Sequence, residues 1–171
     1  MNVLETERLN LRWLSTEDAA FILELVNDPD WLQFIGDRGV RTLEDARAYI
    51  QNGPIAMYQR VGFGLFLVEL KQSATPIGMC GLIERAGLED IDIGYAFMPA
   101  FRGQGYAYES ASAMMTYAQD TLGLKRVVAI TAPDNMRSIA LLTKLGLSFE
   151  NMLRLGEDQP EVTLFAWNKP V

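Results

Sequence analysis

Apolar and polar residues alternate from Arg8 to Trp13, with Leu9, Leu11 and Trp13 on one side and Arg8, Asn10 and Arg12 on the other. A period of two marks a half-buried strand. The rhythm changes at Ser15. Ser15-Thr16-Glu17-Asp18 is a capping-box start, Phe21, Ile22 and Leu25 continue at helical spacing, and Pro29 reads as the stop. A second helix is predicted from Thr42, with Glu44 and Asp45 in its first turn, to a break at Asn52-Gly53-Pro54. Phe63 to Leu70 and Ile77 to Ile83 are apolar runs separated by Ser73-Ala-Thr-Pro76, the pattern of a hairpin.

The second half alternates elements of different kind. Asp90 to Phe97 reads as a strand, with Ile91, Ile93, Tyr95 and Phe97 on one face. Pro99 to Gly105 is a glycine-containing loop, and Tyr106 to Leu122 is a long helix. Lys125 to Thr131 is a further strand, and Asn135 to Leu145 a helix ended by Gly146. Two last strands fall near 147–155 and 161–167. A meander followed by strand, helix and strand predicts an α+β (mixed α/β) domain with a central mixed sheet. No repeat or linker-like stretch divides the chain, so one domain over residues 1–171 is expected.

Composition narrows the chemistry. Hydrophobic residues make up 49% and charged residues 22%, the balance of a globular domain. No apolar run approaches the length needed to span a bilayer, and Met1 to Arg12 lacks the apolar centre of a signal peptide. One cysteine, Cys80, has no partner for an internal disulfide, so a cytoplasmic location is expected. A formal net charge of −7 argues against a nucleic-acid binder, which needs a basic stripe, and suits a cationic substrate. The chain has no histidine. Imidazole bases, Ser-His triads and most zinc sites are therefore excluded, and no metal is expected. Catalysis would have to use carboxylates, hydroxyls, backbone amides or a bound cofactor.

The most informative segment is Arg102-Gly103-Gln104-Gly105-Tyr106-Ala107, between a strand and a helix start. Free amides and the helix dipole make such a position an anion site, and two glycines let the backbone approach a phosphate closely. Spacing alone fits a tight turn equally well. The Walker phosphate loop has no match in the chain, and the dinucleotide fingerprint would need glycine where Tyr108 stands.

Arg102 to Ala107 resembles the Arg/Gln-x-x-Gly-x-Gly/Ala signature of the GNAT superfamily of N-acetyltransferases. Ile93-Gly94-Tyr95 before the loop and Tyr106 to Glu109 after it resemble the same family, as do Asn135-x-x-Ser138 and Lys144-Leu145-Gly146-Leu147. The opening Glu7-Arg8-Leu9-x-Leu11-Arg12 is similar to the Rim-type branch, which acetylates ribosomal-protein N-termini. The resemblance implies a mostly antiparallel sheet of about seven strands, flanked by helices and splayed to admit acetyl-CoA. It implies that the pyrophosphate lies against Arg102, Gly103, Gln104, Gly105, Tyr106 and Ala107. It further implies that pantetheine pairs with the backbone of Tyr95, Ala96 and Phe97, and that Asn135 and Ser138 lie beside the pantetheine arm. Asn135 is also a good ordinary helix cap.

Acetyl transfer to an amine requires a base, donors for the oxyanion and help for the leaving thiolate. Where many relatives carry a catalytic tyrosine this chain has Leu142, and the Rim-type resemblance points to Ser138 instead. Asp92 is the first candidate base and Glu84 the second, with a backbone amide near Tyr95–Phe97 as oxyanion donor. Trp31 and Phe34 fall where relatives place part of the acceptor pocket. Cys80, Met114 and Met115 read as core. The resemblance implies direct transfer from acetyl-CoA to an amine, with a protein N-terminal α-amine as one acceptor and small polyamine- or aminoglycoside-like amines as others. A CoA-binding sensor without transfer activity is the alternative of a different class. Some relatives form homodimers.

Overall fold

The computed structural model describes residues 2–171. Its strands are β1 (Asn2–Glu5), β2 (Leu9–Arg12), β3 (Leu65–Leu70), β4 (Pro76–Ile83), β5 (Asp92–Phe97), β6 (Arg126–Thr131), β7 (Ser148–Arg154) and β8 (Glu161–Asn168). They form one sheet in the order β1-β2-β3-β4-β5-β6-β8-β7. Every neighbouring pair is antiparallel except β5 and β6, which are parallel and joined by a helical crossover. The sheet has one strand more than the expected seven. β1 is four residues long and only half buried, so its pattern carries little signal.

Ser15 makes the expected capping box with Asp18, and the short turn it opens leads into α1 (Ala19–Leu25). Pro29, read above as a stop, is instead the first residue of a further helix, α2 (Pro29–Phe34). Asp28 caps it, accepting from the Asp30 N–H at 3.2 Å. Proline is well suited to that first position because its missing N–H is unpaired there in any case.

Pro54 likewise does not end its helix. α3 (Leu43–Ile50), capped by Thr42, runs through a widened π-type turn at Gln51–Ile55 into α4 (Ala56–Val61). The wider turn accommodates the pyrrolidine ring, so the helical path ends at Gly62 rather than at Asn52. α5 (Tyr106–Thr116) continues through a similar turn to Thr121, and α6 is Met136–Lys144.

Helices cover both faces of the sheet. On one, Ala111, Met114 and Met115 of α5 and Leu142 of α6 pack against Leu9, Leu11, Phe66 and Ile93. On the other, Ile22 and Leu25 of α1 and Ala46 and Ile50 of α3 pack against Leu67 and Met79. The alternation of Phe66, Leu67 and Val68 between the two cores is the strand period at work. Each fully buried Leu, Ile or Phe contributes roughly 1.5–3 kcal/mol. Cys80, Met114 and Met115 lie in this core, and burial pushes the Cys80 thiol up to about 12.

Candidate active site

The sheet opens in its middle. β5 pairs with β4 along its whole length, from Asp92 opposite Ile83 to Phe97 opposite Gly78. On its other side it pairs with β6 at a single point, Asp92 opposite Val128, where the Val128 N–H donates to the Ile91 carbonyl at 3.0 Å. Beyond that rung the two strands diverge, and a cavity of about 1030 Å³ occupies the wedge between them. Tyr95, Ala96 and Phe97 border it on one side and Ile130 and Thr131 on the other. The sequence-based expectation of a splayed sheet is met at this point.

One end of the wedge is the glycine loop. Gly103 and Gly105 have φ of 75° and 85°, in the left-handed region that a side chain makes costly. Gly105 is the cap residue of α5 and offers no side chain to its first turn, so those amides remain available to an anion. Gly103, Gly105, Tyr106 and Ala107 border the cavity. The Gln104 side chain turns away and donates to the Ala100 carbonyl at 3.2 Å.

Arg8 holds this turn from behind. Its guanidinium donates to Glu109 Oε1 at 2.7 Å and to the Gln104 carbonyl at 3.0 Å, and lies over the Tyr106 ring at 4.3 Å. Burial acts to raise the Glu109 carboxyl. Hydrogen bonds from Thr6 and Arg8 outweigh it and hold the group below its ordinary value.

Arg102 has a different environment from its neighbours in the loop. Its guanidinium bonds Asp30 at 2.5 Å, Asp28 at 2.9 Å and the Phe97 carbonyl at 2.8 Å. It therefore ties the loop to α2 and to the end of β5. Trp31 and Phe34 both border the cavity from α2, and Trp31 is buried with an indole N–H that has no hydrogen-bond partner among the described residues.

Tyr95 and Ser138 meet across the wedge. The two hydroxyls are 2.9 Å apart, and burial pushes the Tyr95 phenol up to about 12 against the opposing effect of the Ser138 hydrogen bond. The phenol thus stays protonated at neutral pH. Asn135 caps α6, accepting from the Ser138 N–H at 3.3 Å, and this fixes the serine one turn into the helix. Ser138 is expected here from the resemblance, whereas Tyr95 is expected to contribute only its backbone. The strand alternation that puts Tyr95 on the face of Ile93 and Phe97 also aims it toward α6.

Asp92 stands on the opposite face of β5 at the apex of the wedge. Its side chain is 1% exposed and pairs with Arg85 at 3.2 Å. Burial raises the carboxyl above its ordinary value, and the Arg85 charge and hydrogen bond offset only part of that. Glu84 lies away from the cavity lining, with a half-exposed carboxylate paired to Arg60.

The wedge is lined from both faces of the sheet, by Trp31 and Phe34 of α2 on one and by Ser138 and Leu142 of α6 on the other. The chain belongs to the GNAT acetyltransferase family: residues 8–148 match the acetyltransferase (GNAT) domain. It is 30% identical over 155 residues to the uncharacterized N-acetyltransferase YoaA of Bacillus subtilis, an alignment covering 89% of this chain and 86% of that one. Its fold matches the crystal structure of an Agrobacterium tumefaciens acetyltransferase with a TM-score of 0.83 at 24% identity, over 97% of this chain and 94% of the other. RimL, a ribosomal L7/L12 α-N-protein acetyltransferase solved with coenzyme A, matches with a TM-score of 0.79 at 22% identity, over 99% and 98% of the two chains. The protein is thus an acetyltransferase enzyme. Among the described residues no helix is long and apolar enough to cross a membrane.

Proposed function

We propose that the protein transfers the acetyl group of acetyl-CoA directly to a primary amine, and that the α-amine of a protein N-terminus is the acceptor class. The observation that carries this reading is the division of polar groups across the wedge. The Tyr95–Ser138 hydroxyl pair lies on the α6 face, and the Asp92 carboxyl lies on the face of α1 to α3. Tyr95 is three positions beyond Asp92 along β5, a span of about 10 Å at strand rise. The residues fit the cofactor: uncapped amides at the start of α5 suit a pyrophosphate, and the β5 edge that leaves β6 beyond Asp92 suits amide pairing with a pantetheine arm, the Phe97 carbonyl there being held by Arg102.

Acetyl-CoA supplies a thioester-activated acetyl group, and the remaining work falls to the chain. Asp92, its proton affinity raised by burial, takes the proton of the arriving ammonium directly or through one water. Arg85 keeps the carboxyl oriented. A backbone amide of the Tyr95–Phe97 stretch donates to the carbonyl oxygen as it gains charge. Ser138 gives a proton to the departing sulfur, and the Tyr95 hydroxyl replenishes or orients that donor. Trp31 and Phe34 supply the apolar wall for the acceptor. The N-terminal acceptor is supported by the shared fold of RimL and by the Rim-like opening Glu7 to Arg12.

The test is a two-substrate rate study that follows thiol release, with short peptides bearing free N-termini, polyamines and aminoglycosides as acceptors. Direct transfer gives intersecting double-reciprocal lines, with peptides as the best acceptors. Parallel lines would show a covalent acyl-enzyme and overturn the mechanism. Rates confined to polyamines or aminoglycosides would overturn the acceptor class, and thioester affinity without transfer to any amine would favour a sensor.

A further inference from the structure

The carboxylate of Asp30 is a junction of three elements. It belongs to α2 and accepts from Arg102 of the glycine loop at 2.5 Å and from Arg137 of α6 at 2.9 Å. Asp28, whose side chain caps α2, takes a second arm of the same Arg102 guanidinium at 2.9 Å. The remaining donors of Arg102 close on the Phe97 carbonyl, the last residue of β5. A planar guanidinium with several fixed donors is well suited to hold three such acceptors in one geometry, and an ammonium is not.

These contacts connect the two halves of the site. Arg102 immediately precedes Gly103, whose φ of 75° is one that glycine adopts without steric cost. α2 carries Trp31 and Phe34 into the cavity, and Arg137 is the neighbour of Ser138. We infer that Arg102, Asp28 and Asp30 are positioning residues that couple the phosphate loop to the acceptor helix α2. Occupancy of the loop amides then orders α2 and assembles the acceptor wall. The inference rests on the reading of the wedge as the acetyl-CoA site. Arg102 acts through α2, and its guanidinium is already committed to protein acceptors.

Coupling of this kind has a thermodynamic signature. Ligand that fixes the loop lowers the opening of every element rigidly attached to it, and typical coupling between sites is about five-fold or more. The experiment is backbone hydrogen–deuterium exchange of the full-length protein with and without saturating free CoA, for the wild type and Asp30→Asn. In the wild type, CoA slows exchange in the loop and α5 start (102–109) and slows it about five-fold or more in α2 (29–34). In Asp30→Asn the loop is still protected and α2 is not. Equal protection of α2 in both proteins overturns the coupling, as does loop protection in the wild type with α2 unchanged. No protection at 102–109 in the wild type overturns the cofactor site itself, and so fails differently. If Asp30→Asn does not fold, Arg102→Lys serves in its place, because a single ammonium cannot span Asp28, Asp30 and Phe97.

Discussion

The hydroxyl of Tyr95 lies 2.9 Å from Ser138 Oγ, joining a central strand to the helix that follows the next one across the split in the sheet. The pair is held from both sides. β5 is anchored to β4 by a full ladder, and α6 is capped by Asn135 onto the amide of Ser138 itself. A hydroxyl pair so fixed can deliver a proton at one place without reorganising.

Replacing Ser138 by Ala is expected to lower kcat by about 10²-fold, at the lower end of the range for a positioned proton donor, and to leave the dissociation constant of CoA nearly unchanged. Tyr95→Phe should lower kcat less, because Ser138 remains in place. Steady-state thiol release and calorimetric titration of CoA separate the two quantities. A loss confined to CoA affinity would remove Ser138 from the chemistry.

Asp92→Asn is expected to reduce kcat by about 10²-fold or more and to abolish the acid limb of the pH–rate profile. It also has a consequence for stability. Burial raises the carboxyl in the folded state, so the folded protein binds that proton more tightly than the unfolded chain does. The associated stability is present at pH values below the ordinary carboxylate value of about 4, and it is lost as pH rises through the raised folded value. Urea unfolding from pH 3 to 7 should therefore show Asp92→Asn gaining on the wild type as pH rises. A constant difference would mean that Arg85 fully compensates the buried charge.

Two glycines are expected to fail in different ways. A Cβ on Gly81 would lie 2.0 Å from the Gly64 carbonyl oxygen, in the crossing of two buried backbones that cannot separate cheaply. Gly81→Ala should cost about 1–3 kcal/mol or more of stability, read by chemical unfolding. Gly105→Asp places a side chain at φ of 85° and a negative charge beside the α5 amides. It should cost about 1–2 kcal/mol and, unlike Gly81→Ala, should also abolish the response to CoA.

Local signals made much of this site legible in the sequence. The glycine loop, the Asn135 cap and the alternation that places Tyr95 and Asp92 on opposite faces all depend on neighbours within a few residues. Features set by distant partners were not legible in the same way. The carboxylates that hold Arg102 are 72 and 74 residues away, and the serine that meets Tyr95 is 43 residues away. Pro29 and Pro54 misled for a related reason. Proline signals a break only when no cap or widened turn is supplied, and here Asp28 and the turn at Gln51–Ile55 supply them. β1 gives no usable period, because its two inner residues are half-buried and its two end residues exposed.

The central claim is that the wedge and its glycine loop form an acetyl-CoA site, and thermal unfolding with acetyl-CoA, CoA, ATP and NAD at matched concentrations tests it most directly. At about a hundred times the dissociation constant, a specific ligand adds about 2.7 kcal/mol. For a chain of this size that corresponds to a rise in midpoint of roughly 5–10 °C. The account predicts that rise with acetyl-CoA and CoA and none with NAD or ATP. A midpoint unmoved by acetyl-CoA, or moved equally by all four, would contradict it.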